Sequence, residues 1–215
     1  NFLNNKPKEL NLLIIGAGSN LLIRDKGFKG IVLLTKKLNK IYIDENQIIT
    51  AEAGAIDADV SRFARDNIRG GLEFLLGIPG TIGGGIRMNS GAFGSEFKDI
   101  LIDVKAVNHS GKFRIFTNKE LGMKYRCIEI SEEWIFCSAR FKTFKDQKIN
   151  IENKMKRIIA LRKKAQPTGV KTGGSTFKNP VGNKAWKLID EAGCRGLNIG
   201  GAMISEKHCN FIINS

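Results

Sequence analysis

Missing from this chain of 215 residues are most of the patterns that announce a chemistry. Its four cysteines, Cys127, Cys137, Cys194 and Cys209, make no C-x-x-C pair and no metal-ligand spacing with His109 or His208, so no metal is expected. Free thiols in a reducing cytosol fit better than a disulfide scaffold, and no signal peptide is expected. The longest apolar runs, such as Leu12–Ile15 and Ile31–Leu34, are strand-sized, too short to span a membrane. No G-x-S-x-G elbow, metalloprotease pattern or G-K-[ST] phosphate lysine occurs. Acidic residues are scarce beside basic ones, leaving a net charge of +14. That excess is scattered, and its one block, Lys154–Lys164, fits the solvated face of a helix better than a nucleic-acid-binding tail.

Glycine, by contrast, is concentrated in two places. One is Gly16-Ala17-Gly18-Ser19-Asn20; the other runs from Gly77-Ile78-Pro79-Gly80-Thr81-Ile82-Gly83-Gly84-Gly85 through Asn89, Gly91, Ala92 and Gly94. Seven glycines within residues 77–94 are more than a surface turn needs, and ordered glycine costs backbone entropy. Such density marks positive φ angles or main chain left bare for a ligand such as a diphosphate. For Gly16–Asn20 alone, a tight corner is an equally good reading. Without a phosphate lysine, a diphosphate that is held and not cleaved suits both loops better than a nucleoside triphosphate substrate.

Leu10–Ile15 reads as a buried strand ending at the first glycine loop. No helix comes next: Leu21–Ile23 reads as strand before a turn, which counts against a Rossmann unit. Strands are expected at Gly30–Leu34, Lys40–Ile43 and Gln47–Ala53, the last two joined as a hairpin by Asp44–Asn46. Ile56, Val60, Phe63 and Ala64 give an amphipathic helix with Asp57 and Asp59 in its first turn. A hairpin about His109–Gly111, a capping box at Thr117 and Glu120 whose helix stops near Tyr125-Arg126, and a strand over Trp134–Thr143 come after it. Lys145–Asn150 reads as a linker, and a basic helix runs from Ile151 to Gln166. A polar loop holds Gly173–Pro180, Ala185–Ala192 forms a helix stopped by Gly193, and Cys209–Ile213 begins a strand. The whole reads as α+β in two parts divided near residue 147.

Several of these motifs, taken in order, resemble one family. They are Gly16–Leu22, Gly71-Leu72-Glu73-Phe74, Gly77–Gly85 with Met88–Ala92, Tyr125-Arg126, Gly174–Pro180, and Gly200-Gly201-Ala202 with Ser205–His208 and Asn210-Phe211. The pattern, which runs through nearly the whole chain, looks like the UDP-N-acetylenolpyruvoylglucosamine reductases of peptidoglycan synthesis. The resemblance implies an FAD-binding domain of the vanillyl-alcohol-oxidase/PCMH type, two α+β subdomains with flavin between them, over residues 1–146. It implies a smaller α+β substrate-binding domain over residues 147–215. FAD and NADPH are the implied cofactors, a UDP-sugar the implied substrate and the cytoplasm the implied location. No nucleic-acid or membrane partner is expected, and the chain is expected to be a monomer.

The same resemblance assigns roles. Gly16, Ala17, Gly18, Ser19, Asn20 and Leu21 would hold the cofactor, with Gly77, Pro79, Gly80, Thr81, Gly83, Gly84, Gly85, Asn89, Ala92 and Gly94. Arg126 matches the arginine that holds substrate carboxylate and developing enolate, and Ser175 the serine that gives a proton to the α-carbon. Tyr125, Lys171, Gly174 and Asn179 would bind substrate, and Lys171 or Lys178 would tune Ser175. By spacing alone, Arg126 reads better as a surface arginine and Ser175 as a turn residue, and Asn179 could equally be a turn or cap residue before Pro180. His208 reads as a structural hydrogen bonder.

Three departures stand out. The family's catalytic glutamate lies beyond the Asn-Phe-Ile-Ile-Asn strand and has no counterpart here, since Glu191 and Glu206 belong to other motifs. The family's first strands are missing too, so an internal portion of a longer enzyme is expected; a decayed copy is the alternative. Cys127-Ile128 replaces the usual serine after the arginine, and Arg87 and Phe93 stand for small and tyrosyl residues. Two rival functions remain: another FAD oxidoreductase of the same fold, or a basic single-strand nucleic-acid binder stacking bases on Phe28, Phe63, Phe74 and Phe93.

Overall fold

The computed structural model describes residues 2–7 and 9–214, which fall into two compact units. One comprises Asn1–Gly18 and Asp25–Ile158, the other Ser19–Arg24 and Ile159–Ser215. In the first, a short helix α1 (Phe2–Asn5) precedes β1 (Leu12–Ile15), which pairs in parallel with β2 (Ile31–Leu34) from Leu12↔Ile31 to Ile15↔Leu34. β1 is half-buried, not fully buried as expected. The strand expected at Leu21–Ile23 is absent: residues 21–30 are exposed throughout, and a strand needs a neighbour to take its hydrogen bonds.

β3 (Ile41–Ile43) and β4 (Ile49–Glu52) form the expected hairpin, with Ile48 N donating to Asp44 Oδ1 at 2.9 Å and Gln47 at φ 62° in the turn. Then come α2 (Asp57–Asp66), β5 (Arg69–Gly70), a 3-10 turn over Glu73–Gly77, and α3 (Ile82–Arg87). A small hairpin, β6 (Gly91–Ala92) with β7 (Ser95–Glu96), leads into α4 (Phe97–Ile100). β8 (Leu101–Val107), β9 (Phe113–Thr117) and β10 (Ile135–Phe141) complete an antiparallel sheet ordered β3-β4-β10-β8-β9. Its buried face, with Ile49, Val104 and Phe141, joins Val60, Leu75 and Ile86 from the helical elements in one core. Phe97 packs edge-on between Phe74 and Phe141 at 6.3 and 6.1 Å. Each such side chain contributes about 1.5–3 kcal/mol by leaving water.

Three expectations need correction here. Helix α5 (Asn118–Leu121) has the capping box of Thr117 and Glu120, but Gly122, at φ 55°, ends it after one turn; Tyr125-Arg126 belongs to a separate turn. Lys145–Asn150 is not a linker: β11 (Phe144–Lys145) pairs with β5, and α6 (Lys148–Ala165) starts at once because Asp146 Oδ1 accepts from Gln147 N and Asn150 Nδ2. Of the four proposed stacking phenylalanines, Phe74 is core and Phe63 leans on that core, so neither can receive a base.

The second unit holds β12 (Lys171–Ser175), α7 (Ala185–Glu191), β13 (Asn198–Ile199), β14 (Ala202–Ile204) and β15 (Phe211–Asn214). The four strands make one antiparallel sheet in the order β12-β15-β14-β13. The polar loop expected from Gly173 therefore begins as strand, and the last strand starts at Phe211, two residues later than expected. Gly193, at φ 72°, comes after α7 as its stop. Both units are α+β, and among the described residues no helix is long and apolar enough to cross a membrane.

Candidate functional site

Gly16 closes the first glycine loop onto the second. A Cβ there would stand 2.1 Å from Thr81 Oγ1, so only glycine permits the approach. Ala17 and Gly18 are exposed, and Gly18, at φ 72°, has nothing within 4 Å of a would-be Cβ. The second loop is fastened to the turn before α2 by main chain: Asp57 N to Gly80 O (3.2 Å), Ile82 N to Ala55 O (3.0 Å) and Gly83 N to Ala53 O (2.8 Å). Gly85 N donates to Thr81 O at 2.8 Å. The amides of Ile82, Gly83 and Gly85 therefore serve the fold, which corrects the view of every amide in this loop as bare.

The glycines divide accordingly. Gly77, Gly83 and Gly85 sit where a Cβ would meet Phe93 (2.8 Å), Ala53 (3.0 Å) and Phe97 (2.3 Å). They let α3 and its approach pack closely. Gly84 is exposed, with only Thr81 Oγ1 nearby at 3.7 Å, and Gly94 is open with φ 88°. Pro79 is exposed, Gly80 and Ala92 half-buried and Thr81 buried. Phe93 (φ 54°) and Gly94 are the two central residues of the β6–β7 turn, both left-handed as a tight two-residue hairpin requires.

Arg126 occupies a similarly demanding turn. Lys124 N donates to Cys127 O (2.9 Å) and Cys127 N to Lys124 O (3.2 Å), leaving Tyr125 and Arg126 at the tip. Arg126 takes φ 53°, which costs a non-glycine residue roughly 1–2 kcal/mol. Such strain collects where a side chain must point one way. Asn89, expected at the cofactor, is buried; its Nδ2 donates to Lys124 O (3.3 Å) and Glu96 Oε2 (2.7 Å), and its Oδ1 accepts from Lys98 N (2.9 Å). Its side chain thus ties the Arg126 turn to the β6–β7 hairpin, and its amide donates to Ile86 O (3.0 Å), so the side-chain groups and the amide expected at the cofactor serve the fold.

In the second unit, the register of β12 against β15 shifts between Thr172 and Ser175, with Gly174 at φ 82°. A bulge of this kind re-aims the residue after it, here the half-buried Ser175. Asn210, buried and absent from the residues expected to act, holds the chain just past Ser175. Its Oδ1 accepts from Phe177 N and its Nδ2 donates to Phe177 O, both at 2.9 Å, while its carbonyl accepts from Thr176 N at 2.8 Å. Only its place in the Ser205–Phe211 motif hints at this. Asn179 Oδ1 accepts from Ala185 N at 2.9 Å, a cap on α7, and Lys171 is exposed at the start of β12. Ser19 is half-buried; Asn20 and Leu21 are exposed. His208 Nδ1 accepts from Asn210 N (3.3 Å), in keeping with burial lowering its proton affinity.

Sequence reasoning also misses Asp57. It is 0% exposed and neither carboxylate oxygen has a hydrogen-bond partner among the described residues, and burial pushes its pKa up to about 8. A charged residue favouring the helix dipole is expected at this position; that description fits exposed Asp59, which pairs with Arg62 at 2.6 Å. No periodicity separates the two.

Comparison with known proteins gives two family matches, FAD binding domain over residues 5–117 and UDP-N-acetylenolpyruvoylglucosamine reductase, C-terminal domain, over residues 166–215. The UDP-N-acetylenolpyruvoylglucosamine reductase of Paramagnetospirillum magneticum is 47% identical over 209 residues, covering 97% of this chain and 68% of that protein. That of Rickettsia typhi is 47% identical over 215 residues, covering 100% and 72%. The crystal structure of UDP-N-acetylenolpyruvylglucosamine reductase (MurB) from Thermus caldophilus aligns at TM-score 0.87 and 36% identity, over 96% of this chain and 76% of that one.

Proposed function

The chain belongs to the UDP-N-acetylenolpyruvoylglucosamine reductase family, and we propose that it reduces UDP-N-acetylglucosamine enolpyruvate to UDP-N-acetylmuramate with NADPH. This is a step of peptidoglycan precursor synthesis. FAD, when bound, supplies hydride transfer from NADPH to the enolpyruvyl double bond. The observation that carries the reading is the meeting of the two glycine loops at Gly16 and Thr81, with Gly18 and Gly84 open beside it. Uncharged main chain with space above it fits a diphosphate. Gly16–Leu21 and the Gly77–Gly94 segment would hold the cofactor.

Hydride reaching the β-carbon leaves charge on the carboxylate side of the substrate. The Arg126 guanidinium holds that carboxylate and its growing charge, with the strained turn limiting where it can point. The Ser175 hydroxyl gives its proton to the α-carbon. Tyr125, Lys171, Gly174 and Asn179 bind the rest of the substrate. We assign residues 1–146 to the FAD-binding domain and 147–215 to the substrate-binding domain; the two family matches, residues 5–117 and 166–215, fall on either side of that division. We further propose a cytoplasmic monomer without nucleic-acid partners; the relatives described above all carry the name of the reductase.

The test is spectroscopic. The purified chain incubated with FAD and desalted should be yellow, bleach with NADPH, and recover colour with the enolpyruvyl substrate. A colourless protein ends the proposal; recovery only with unrelated acceptors points to another flavin oxidoreductase.

A further inference from the structure

Asp57 has no part in the chemistry above, yet the fold commits it to the cofactor corner. It opens α2, and its amide donates to Gly80 O while Ile56 and Thr81 form an antiparallel bridge. Its fully buried carboxyl is thus attached to the main chain that backs the Gly80–Gly83 corner, and meets no donor among the described residues. Most charges on neighbouring elements are engaged elsewhere, and Arg87, at the end of α3 away from the corner, donates to Trp134 O. On α2, Asp59 pairs with Arg62 and Asp66 with Arg65. Glu73, on the 3-10 turn packed against α2, accepts from Gly71 N and pairs with Lys154; Arg69, on β5, donates to Thr143. Glu52, at the end of β4, accepts from Lys40 N. Burial alone raises the proton affinity of Asp57 and so favours its uncharged form.

We propose that Asp57 is a positioning residue that works as an uncharged carboxylic acid behind the diphosphate corner, and that its ionisation loosens the hold on FAD. The proposal rests on the FAD reading and deepens it. A buried carboxylate without a donor seeks water, and the adjoining Asp57–Gly80 and Ala55–Ile82 hydrogen bonds are what must yield to admit it. The new charge also opposes the negative diphosphate. An uncharged side chain of the same shape lacks both effects.

FAD affinity, read from quenching of flavin fluorescence between about pH 6 and about pH 10, tests this on the wild-type chain and Asp57→Asn. Wild-type affinity should fall by up to about tenfold per pH unit above about pH 8, while Asp57→Asn keeps its affinity. Parallel profiles overturn the proposal. Should the amide not be accommodated, the wild type decides alone. Its Asp57 carboxyl, followed by carbon-13 NMR, should remain protonated at pH 7 and titrate higher still with FAD bound, since linkage is reciprocal. Ionisation below pH 7, or no change on loading, overturns it. Absence of FAD binding at any pH sinks the cofactor reading itself, which separates the two failures.

Discussion

The Gly77–Gly85 segment of the first unit leans on fully buried Phe97, Ile82 and Ile86, while the Gly173–Asn179 segment of the second depends on hydrogen bonds to one buried asparagine, Asn210. The contrast extends beyond these segments. The first unit has a continuous apolar core, whereas in the second Phe177, Trp186, Leu197 and Ile199 are exposed and Ala185, Cys209 and Phe211 supply most of the apolar burial. Main-chain hydrogen bonds and apolar packing together hold the first segment, while the second relies on the side-chain amide of Asn210. A segment packed closely against apolar side chains is sensitive to added volume; one held by a buried amide is sensitive to loss of its hydrogen bonds.

The largest expected effect separates the units by chemistry. Ser175→Ala should slow product formation by up to about 10⁴-fold while NADPH still reduces the flavin at nearly the wild-type rate. Stopped-flow measurement of both half-reactions checks this, and equal damage to both would remove Ser175 from the proton-donor role.

Next in size is a pair of opposing pH slopes, one from each unit. Asp57 binds its proton more tightly folded than unfolded, so its share of stability is complete below about pH 3.8 and is lost as pH rises through about 8. The loss is on the order of 5 kcal/mol. His208 is the reverse case: burial lowers its pKa, so its contribution is present above its ordinary 6.5 and fades as pH falls below it. Urea unfolding across pH should show Asp57→Asn removing the loss between about pH 3.8 and about pH 8, and His208→Gln flattening the fall below pH 6.5.

Asn210→Ala comes third. It strands Phe177 N and Phe177 O, at a cost of about 2 kcal/mol in a half-buried setting. Thermal unfolding should register that loss, with product formation falling and FAD affinity holding. A matching fall in FAD affinity would break the contrast drawn between the two segments.

The same physics decides which parts of the molecule are legible in the sequence. Helix α2, the hairpins β3–β4 and β8–β9, and the capping box of Thr117 and Glu120 can be read there because periodicity and local turn chemistry create them. α3 cannot, since Ile-Gly-Gly-Gly-Ile-Arg has poor helix propensity and turns helical through packing against Ala53 and Phe97. Arg126 and Ser175 are found by resemblance, but the left-handed turn under one and the bulge before the other are matters of register, which motif spacing does not encode. Asp57 differs from Asp59 only in which way its helix faces, and Asn210 only in what surrounds it.

Neighbouring glycines of α3 provide the smallest and sharpest test. Gly85→Ala pushes a methyl to 2.3 Å from the buried Phe97 ring, and overpacking of that kind costs about 1–3 kcal/mol. Gly84→Ala meets only Thr81 Oγ1, at an ordinary 3.7 Å, so its helix-propensity gain of up to about 1 kcal/mol should survive. The cofactor-free Gly84→Ala chain should therefore melt later than wild type. If the open side of α3 is where the diphosphate approaches, that chain should also bind FAD more weakly, so stability and affinity move in opposite directions. Gly85→Ala should lower both together. A Gly84→Ala protein that gains stability and keeps its full FAD affinity would show that the space above this residue is ordinary solvent, and would move the cofactor's contact back toward Gly16 and Gly18.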